Sequence, residues 1–269
     1  MNSITSKLAV QMYTVRESTG TAAGFADALA RIRAIGYPAV QLSAVGAMAG
    51  AVPAVCAEQA RQMLDDNGLK CIATHRNWDS LAQETDREIL FHQILGCDFA
   101  AIGGLPPPYS EAGAAGYAAF ARDAAPVIAR LKAAGIRFGY HNHAHEFERA
   151  SEGSARTWLD VLIEESGPDL CLELDVYWVG HAGANPERLV ERNAGRVPVI
   201  HVKDKEVADG QPVMAPVGEG NLDWPALLPA CAAANVEWYA VEQDVCRRDP
   251  FDCLRSSFEF LRGISAEKR

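Results

Sequence analysis

The sequence lacks what a nucleic-acid binder, a membrane protein or a disulfide scaffold would need. Its 25 Lys and Arg are outnumbered by 35 Asp and Glu, a formal charge of −10, and no basic run exceeds two residues. Phosphate backbones are neutralised by clustered cations, so no nucleic-acid partner is expected. No stretch approaches the roughly 20 apolar residues of a membrane span, and the first fifteen residues hold only a short apolar run that reads as a strand. A soluble, cytoplasmic protein is expected, with no membrane partner. The seven cysteines, at 56, 71, 97, 171, 231, 246 and 253, are odd in number and contain no C-x-x-C pair. That pattern reads as free thiols in a reducing compartment, not as a disulfide framework. Also missing are a Walker-type loop and a G-x-G-x-x-G after the first strand, where Tyr13-Thr14-Val15-Arg16-Glu17 stands instead. Their absence excludes the usual dinucleotide-binding open sheet.

What the chain does have is apolar material, 49% of 269 residues, in short runs that alternate with helical patterns. Eight strand candidates follow one another: Leu8–Tyr13, Ala39–Ser43, Lys70–His75, Phe99–Gly103, Arg137–His143, Leu170–Asp175, Val197–Val202 and Trp238–Glu242. The first helical gap carries Phe25, Leu29, Ile32 and Ile35 at spacings of three and four, ending at Gly36. Asn185-Pro186 and Asp249-Pro250 set a capping side chain before a proline at the first helical position, and Gly135 closes the helix before the fifth strand. Pro126 predicts a kink, or two shorter helices, in the fourth gap. Eight strand-helix units with no polar linker predict a single α/β domain over residues 1–269, a closed (β/α)8 barrel.

Active sites of such barrels lie at the carboxyl ends of the strands. There the sequence places His75, then His141-Asn142-His143, Glu173 and Asp175, His201, and Glu242. Acids and imidazoles ending apolar strands are costly unless they meet partners or a metal. This mixture of Asp, Glu and His without thiolates suits one divalent ion, Mn²⁺, Mg²⁺, Co²⁺ or Zn²⁺. Alternation puts His201 and Lys203 on one side of their strand, with Asp204 near enough to orient either. Lys203 is expected to touch substrate. Glu219, in a glycine-flanked loop, is a candidate for a mobile cover, and Ser43 and Arg76 lie near the mouth.

The segments YHNHAHEF (140–147), LELDVYWV (172–179), HVKD (201–204), PVGEG (216–220) and VEQD (241–244), with QMYTVR on the first strand, resemble the sugar phosphate isomerase/epimerase family with its xylose-isomerase-like barrel. The resemblance implies one divalent ion held from strands five to eight, with Asp175, His201 and Glu242 as three ligands. The position that is commonly Glu on strand five is His141 here. Glu146, folding back from the loop, is preferred as the fourth ligand because an anion keeps the family's site charge, and His141 is the alternative. The resemblance further implies Glu146 and Glu242 as the proton-transferring pair, His143 in proton transfer, and His75, His141 and Trp178 at the substrate. Trp178 stands where the family's ketose 3-epimerases have His, which disfavours a plain ketohexose epimerase and suggests an apolar wall under a sugar ring.

The expected activity is therefore metal-dependent isomerisation or epimerisation of a sugar, keto-sugar or related polyol through an enediolate. The alternatives are a dehydratase (lyase) acting on a keto-sugar or keto-inositol, an endonuclease IV-like phosphodiesterase, and a non-catalytic sugar-binding barrel. The expected partner is a small carbohydrate, and a homo-oligomer is allowed.

Overall fold

The computed structural model describes residues 4–266. Eight parallel strands close into a barrel: β1 (Leu8–Gln11), β2 (Ala39–Leu42), β3 (Lys70–His75), β4 (Phe99–Ile102), β5 (Arg137–His141), β6 (Leu170–Asp175), β7 (Val199–Val202) and, after a hairpin of β8 (Asp204–Ala208) and β9 (Gln211–Ala215), β10 (Trp238–Val241), which pairs with both β7 and β1. Around it run α1 (Ala22–Ile35), α2 (Ala57–Asp66), α3 (Trp78–Gln83), α4 (Thr85–Leu95), α5 (Gly113–Ala133), α6 (Trp158–Glu165), α7 (Val176–His181), α8 (Pro186–Arg192), α9 (Trp224–Ala233) and α10 (Pro250–Ala266). The fold is thus a single (β/α)8 barrel, as the alternation predicts. Several strands end a residue or two early: after Gln11, for instance, the chain turns into a 3-10 segment, Met12–Ser18.

The helix start and stop signals behave as their chemistry requires. Asn185 Oδ1 accepts the Arg188 N–H ahead of Pro186, and Gly36 ends α1 at φ 124°. Pro126 does not divide its helix. α5 runs unbroken for 21 residues, because Tyr117, Phe120 and Ala124 before the proline and Val127, Ile128 and Leu131 after it bury one continuous face. All seven cysteines are free thiols.

Inside the barrel, alternation builds a floor and a rim. The floor is apolar and mostly small: Ala9, Ala39, Ala73, Phe99, Ala101, Val199 and Ala240 form one buried cluster. Phe99 fits because Gly139 has no side chain, and a Cβ there would stand 2.3 Å from the Phe99 ring. Two residues further along these strands come Gln11, Gln41, His75, His201 and Glu242, and beyond Cys171 comes Glu173. The same two-residue period that fills the floor with methyl groups therefore points polar side chains into the mouth above it.

The β8–β9 hairpin is an addition that strand counting misses. Its signal is Asp209-Gly210, both with positive φ, between alternating residues. Asp204 at its base does not orient His201 or Lys203, as the sequence suggests. Its carboxylate accepts the backbone N–H groups of Lys205, Gly218, Gly220 and Leu222 and, at 2.6 Å, the Trp224 indole N–H. PVGEG is the loop so gathered. Gly220 is required because a Cβ would lie 2.2 Å from Asp204 Oδ1. Glu219 is no free cover, since Arg248 and Ser256 hold it. Replacing Asp204 with Ala leaves the buried Trp224 indole N–H and four part-buried backbone N–H groups without their acceptor, so D204A should lose about 2–4 kcal/mol of stability in denaturant unfolding, and D204N less; equal stability of D204A and wild type would contradict this role.

Candidate active site and metal centre

The mouth is organised by His201, which is fully buried. Its Nδ1 lies 2.8 Å from Glu242 Oε2, and its Nε2 lies 2.8 Å from Gln41 Oε1 and 3.2 Å from Glu173 Oε2. Burial alone would lower its pKa, but the Glu173 and Glu242 carboxylates push it up to about 10. Gln41 donates in turn to Glu173 Oε1 at 2.9 Å, and His75 Nε2 meets Glu173 Oε2 at 2.5 Å. Gln41, a mid-strand amide that nothing in its local sequence marks, is thus the bridge between β6 and β7.

Asp175 shows how local folding presents a ligand. As the N-cap of α7 it accepts the Trp178 N–H at Oδ1, and its own N–H is fixed by Asn142 Oδ1 at 3.0 Å. Its other oxygen stays in the mouth without a well-aligned hydrogen bond, an ion-pair distance of 2.9 Å from Lys203 Nζ. Lys203 also reaches Glu242 at 2.9 Å and Asp244 at 3.1 Å. It is buried, its ammonium is engaged by these acids, and it is not among the residues lining the mouth cavity.

Glu173, Asp175, Glu242 and Asp244 share the Lys203 ammonium, the His201 imidazolium and, at Glu173, the His75 ring, and an ion bound by His201 would take the place of its proton. The acids respond unequally. Despite burial, Lys203 and His201 hold Glu242 well below the carboxylate range; burial outweighs those same cations at Asp175 and raises it, and Asp244 is pushed up to about 6 by burial. His141, fully desolvated and close to His201 and His75, is held well below its ordinary value and is neutral, with Nδ1 buried and unpartnered.

One donor atom each from His141, Asp175, His201 and Glu242 lies within 4.8 Å of the others. A buried, unpartnered imidazole nitrogen in a pocket with excess negative charge fits a divalent cation. Two further groups satisfy the same distance, His75, His141, Glu173 and His201, and His143, His145 and Glu146. The first shares two residues with the main group, so the two sets describe neighbouring positions in one mouth.

Of the ligands expected from the sequence, Asp175, His201 and Glu242 come together, and Glu146 does not join them. Its carboxylate is used inside its own loop. Oε1 accepts the Tyr140 hydroxyl at 2.7 Å and lies 3.2 Å from His145, while Oε2 accepts the His143 N–H at 2.8 Å. Burial raises its pKa, and the strand-five position in the cluster is taken by His141. For the same reason the expected Glu146–Glu242 pair, acting on opposite faces of the substrate, is not assembled on the cavity wall. His75, His141, His143 and Glu242 line a cavity of about 410 Å³ together with Ser43, and Glu146 is not on its wall. Trp178 stands behind His143, ring centres 5.5 Å apart, and carries the Lys203 ammonium 5.8 Å from its ring centre. Arg76 is tied to Glu88.

The profile of the xylose isomerase-like TIM barrel family matches residues 29–264, and the chain belongs to that family. Solved structures share the fold at low identity. A sugar phosphate isomerase/epimerase from Parabacteroides distasonis is 20% identical, with 96% of this chain and 94% of that one covered and a TM-score of 0.78. An L-ribulose 3-epimerase is 15% identical, with 98% and 95% covered and a TM-score of 0.71. A probable 3-DHS dehydratase from Bacillus anthracis is 12% identical, with 95% and 98% covered and a TM-score of 0.71. A search of curated proteins finds no match. Among the described residues no helix is long and apolar enough to cross a membrane.

The ligand assignment is open to direct comparison. H141Q should weaken Mn²⁺ binding, followed by calorimetric titration, at least tenfold, and E146Q should do so much less. The reverse order would return the strand-five role to Glu146.

Proposed function

We propose that the protein is a divalent-metal-dependent isomerase or epimerase of a sugar or keto-sugar, with His141, Asp175, His201 and Glu242 holding the ion. The observation that carries this reading is the convergence of one donor atom from each of those four side chains within 4.8 Å, two of the four, His141 and Glu242, standing on the cavity wall. When bound, the ion would supply Lewis-acid polarisation of a carbonyl and its adjacent hydroxyl. The remaining chemistry belongs to the chain. Glu242, ionised and on the cavity wall, takes the proton from the hydroxyl-bearing carbon beside the carbonyl and returns it to the former carbonyl carbon. His143, desolvated and kept neutral with its pKa pushed down to about 4, accepts the hydroxyl proton and passes it to the carbonyl oxygen. His75, braced by Glu173, and the amide of Gln11 on the same wall hold substrate hydroxyls. Epimerisation needs a second proton donor on the opposite face of that carbon, for which the cavity wall offers the imidazoles of His75 and His143.

Dehydration is the second reading. Its first step, proton removal beside a carbonyl, needs the same groups, and the dehydratase name of the Bacillus anthracis neighbour favours it. An endonuclease-like phosphodiesterase is disfavoured by a charge of −10 and by the absence of any Lys or Arg on the cavity wall.

Purified protein should contain about one divalent ion per chain by elemental analysis, and D175A and H201A should each lose it; full occupancy in both variants would remove the assignment. A keto-sugar screen in D₂O should show deuterium at the reacting carbon of substrate or product, and E242Q should slow that exchange at least a hundredfold, read beside its measured metal content. Turnover over many cycles with no deuterium uptake would count against Glu242 as the proton carrier.

A further inference from the structure

A second cavity, of about 280 Å³, shares wall residues with the first and carries more apolar side chains. Leu42, Val45, Met48, Ala49 and Phe91 are apolar residues of its wall, beside Thr74, His75 and Arg76. His75 and Ala44 line both cavities, so the two are adjoining chambers of one mouth. Ala44 holds a left-handed backbone, φ 53°, at the partition. Such a conformation costs a residue with a Cβ about 1 kcal/mol, and strain of that kind concentrates where the chain shapes a site. A small side chain there leaves the passage open.

The charges along the two walls argue about the ligand as well. Arg76 is the one Lys or Arg among the residues lining either chamber. Its guanidinium donates through Nε and Nη2 to the two oxygens of buried Glu88, both at 2.6 Å, and stacks 4.2 Å from the centre of the Phe91 ring. A phosphate brought to this guanidinium would also meet the Glu88 carboxylate. The polar chamber offers an anion no Lys or Arg: its wall carries the acids Glu242 and Asp244, three imidazoles and the neutral side chains of Gln11, Tyr13 and Ser43.

We propose that the second chamber is a subsite for an apolar substituent, so that the substrate is an uncharged sugar carrying an alkyl or aryl group, and not a sugar phosphate. The proposal rests on the sugar-processing reading and specifies its substrate class. The sugar ring occupies the chamber of Glu242 and His143; its substituent passes His75 and Ala44 and lies against Met48 and Phe91. Binding energy from that remote group is then available to hold the reacting carbons at Glu242.

Ligand-observed NMR and calorimetry on the Mn²⁺-loaded protein test this. The ligands are glucose, galactose and xylose, their methyl, butyl and hexyl glycosides, and glucose 6-phosphate. For at least one sugar, affinity should rise about fourfold per added methylene until the chamber is filled, and glucose 6-phosphate should bind no tighter than glucose. Met48→Trp, which fills the second chamber, should flatten the alkyl series to the affinity of the methyl glycoside while leaving the parent sugar's affinity unchanged. Circular dichroism and metal content confirm that the variant is folded, and Ala49→Phe serves as a second filling variant. Parent sugars that bind with no gain from the alkyl chain, or a preference for the phosphate, overturn this inference and spare the sugar reading. Failure of every sugar and glycoside to bind overturns both.

Discussion

The structure depends on one imbalance: Glu173, Asp175 and Glu242 buried in a closed barrel and Asp244 half-buried at its mouth, with Lys203 as the fixed cation among them and His201 carrying a proton whose place an ion would take. Burying acids at this depth is tolerable only when each is paired or hydrogen-bonded. His201 serves Glu242 on one ring nitrogen and lies against Gln41 and Glu173 at the other, and Lys203 spans Asp175, Glu242 and Asp244. The pairing is incomplete, and the raised acids, Asp175 and Asp244, mark where positive charge is short. A divalent ion is the economical remedy, since it brings two charges to one position in exchange for one proton and engages the neutral nitrogen of His141.

The scaffold creates this imbalance by a simple rule. Alternation along each strand sends every second side chain into the barrel, and small residues at the floor leave no room for anything larger. One step further up, the same face carries acids, amides and imidazoles. The loops then assign tasks within the set. Asp175 divides its carboxylate between capping α7 and facing the mouth, and Asp204 is withdrawn from the mouth to gather the PVGEG loop. Two carboxylates, one ending β6 and one opening β8, thus have different fates because of the N–H groups that each can reach.

Much of this was legible in the sequence, and the failures have physical reasons. The eight strands were readable because short apolar runs alternate with helical spacing, and the strand-end acids and histidines stood out against them. Asp175, His201 and Glu242 meet as their strand positions predict. Glu146 misled because a local competitor is invisible in a residue count: the Tyr140 hydroxyl and the His143 N–H consume both carboxylate oxygens. Gln41 gave no signal, since its partners lie 132 and 160 residues away. The β8–β9 hairpin did carry a signal, Asp209-Gly210, overlooked because eight strands already closed the barrel.

The claim that the mouth is a cation site built on His141, Asp175, His201 and Glu242 meets its most direct test in a crystal grown with Mn²⁺ and measured at a wavelength where manganese scatters anomalously. The account predicts one strong anomalous peak among those four side chains, with Glu146 still bonded to Tyr140 and the His143 N–H. A peak seated instead on His143, His145 and Glu146, or none in the mouth at millimolar Mn²⁺, would contradict it.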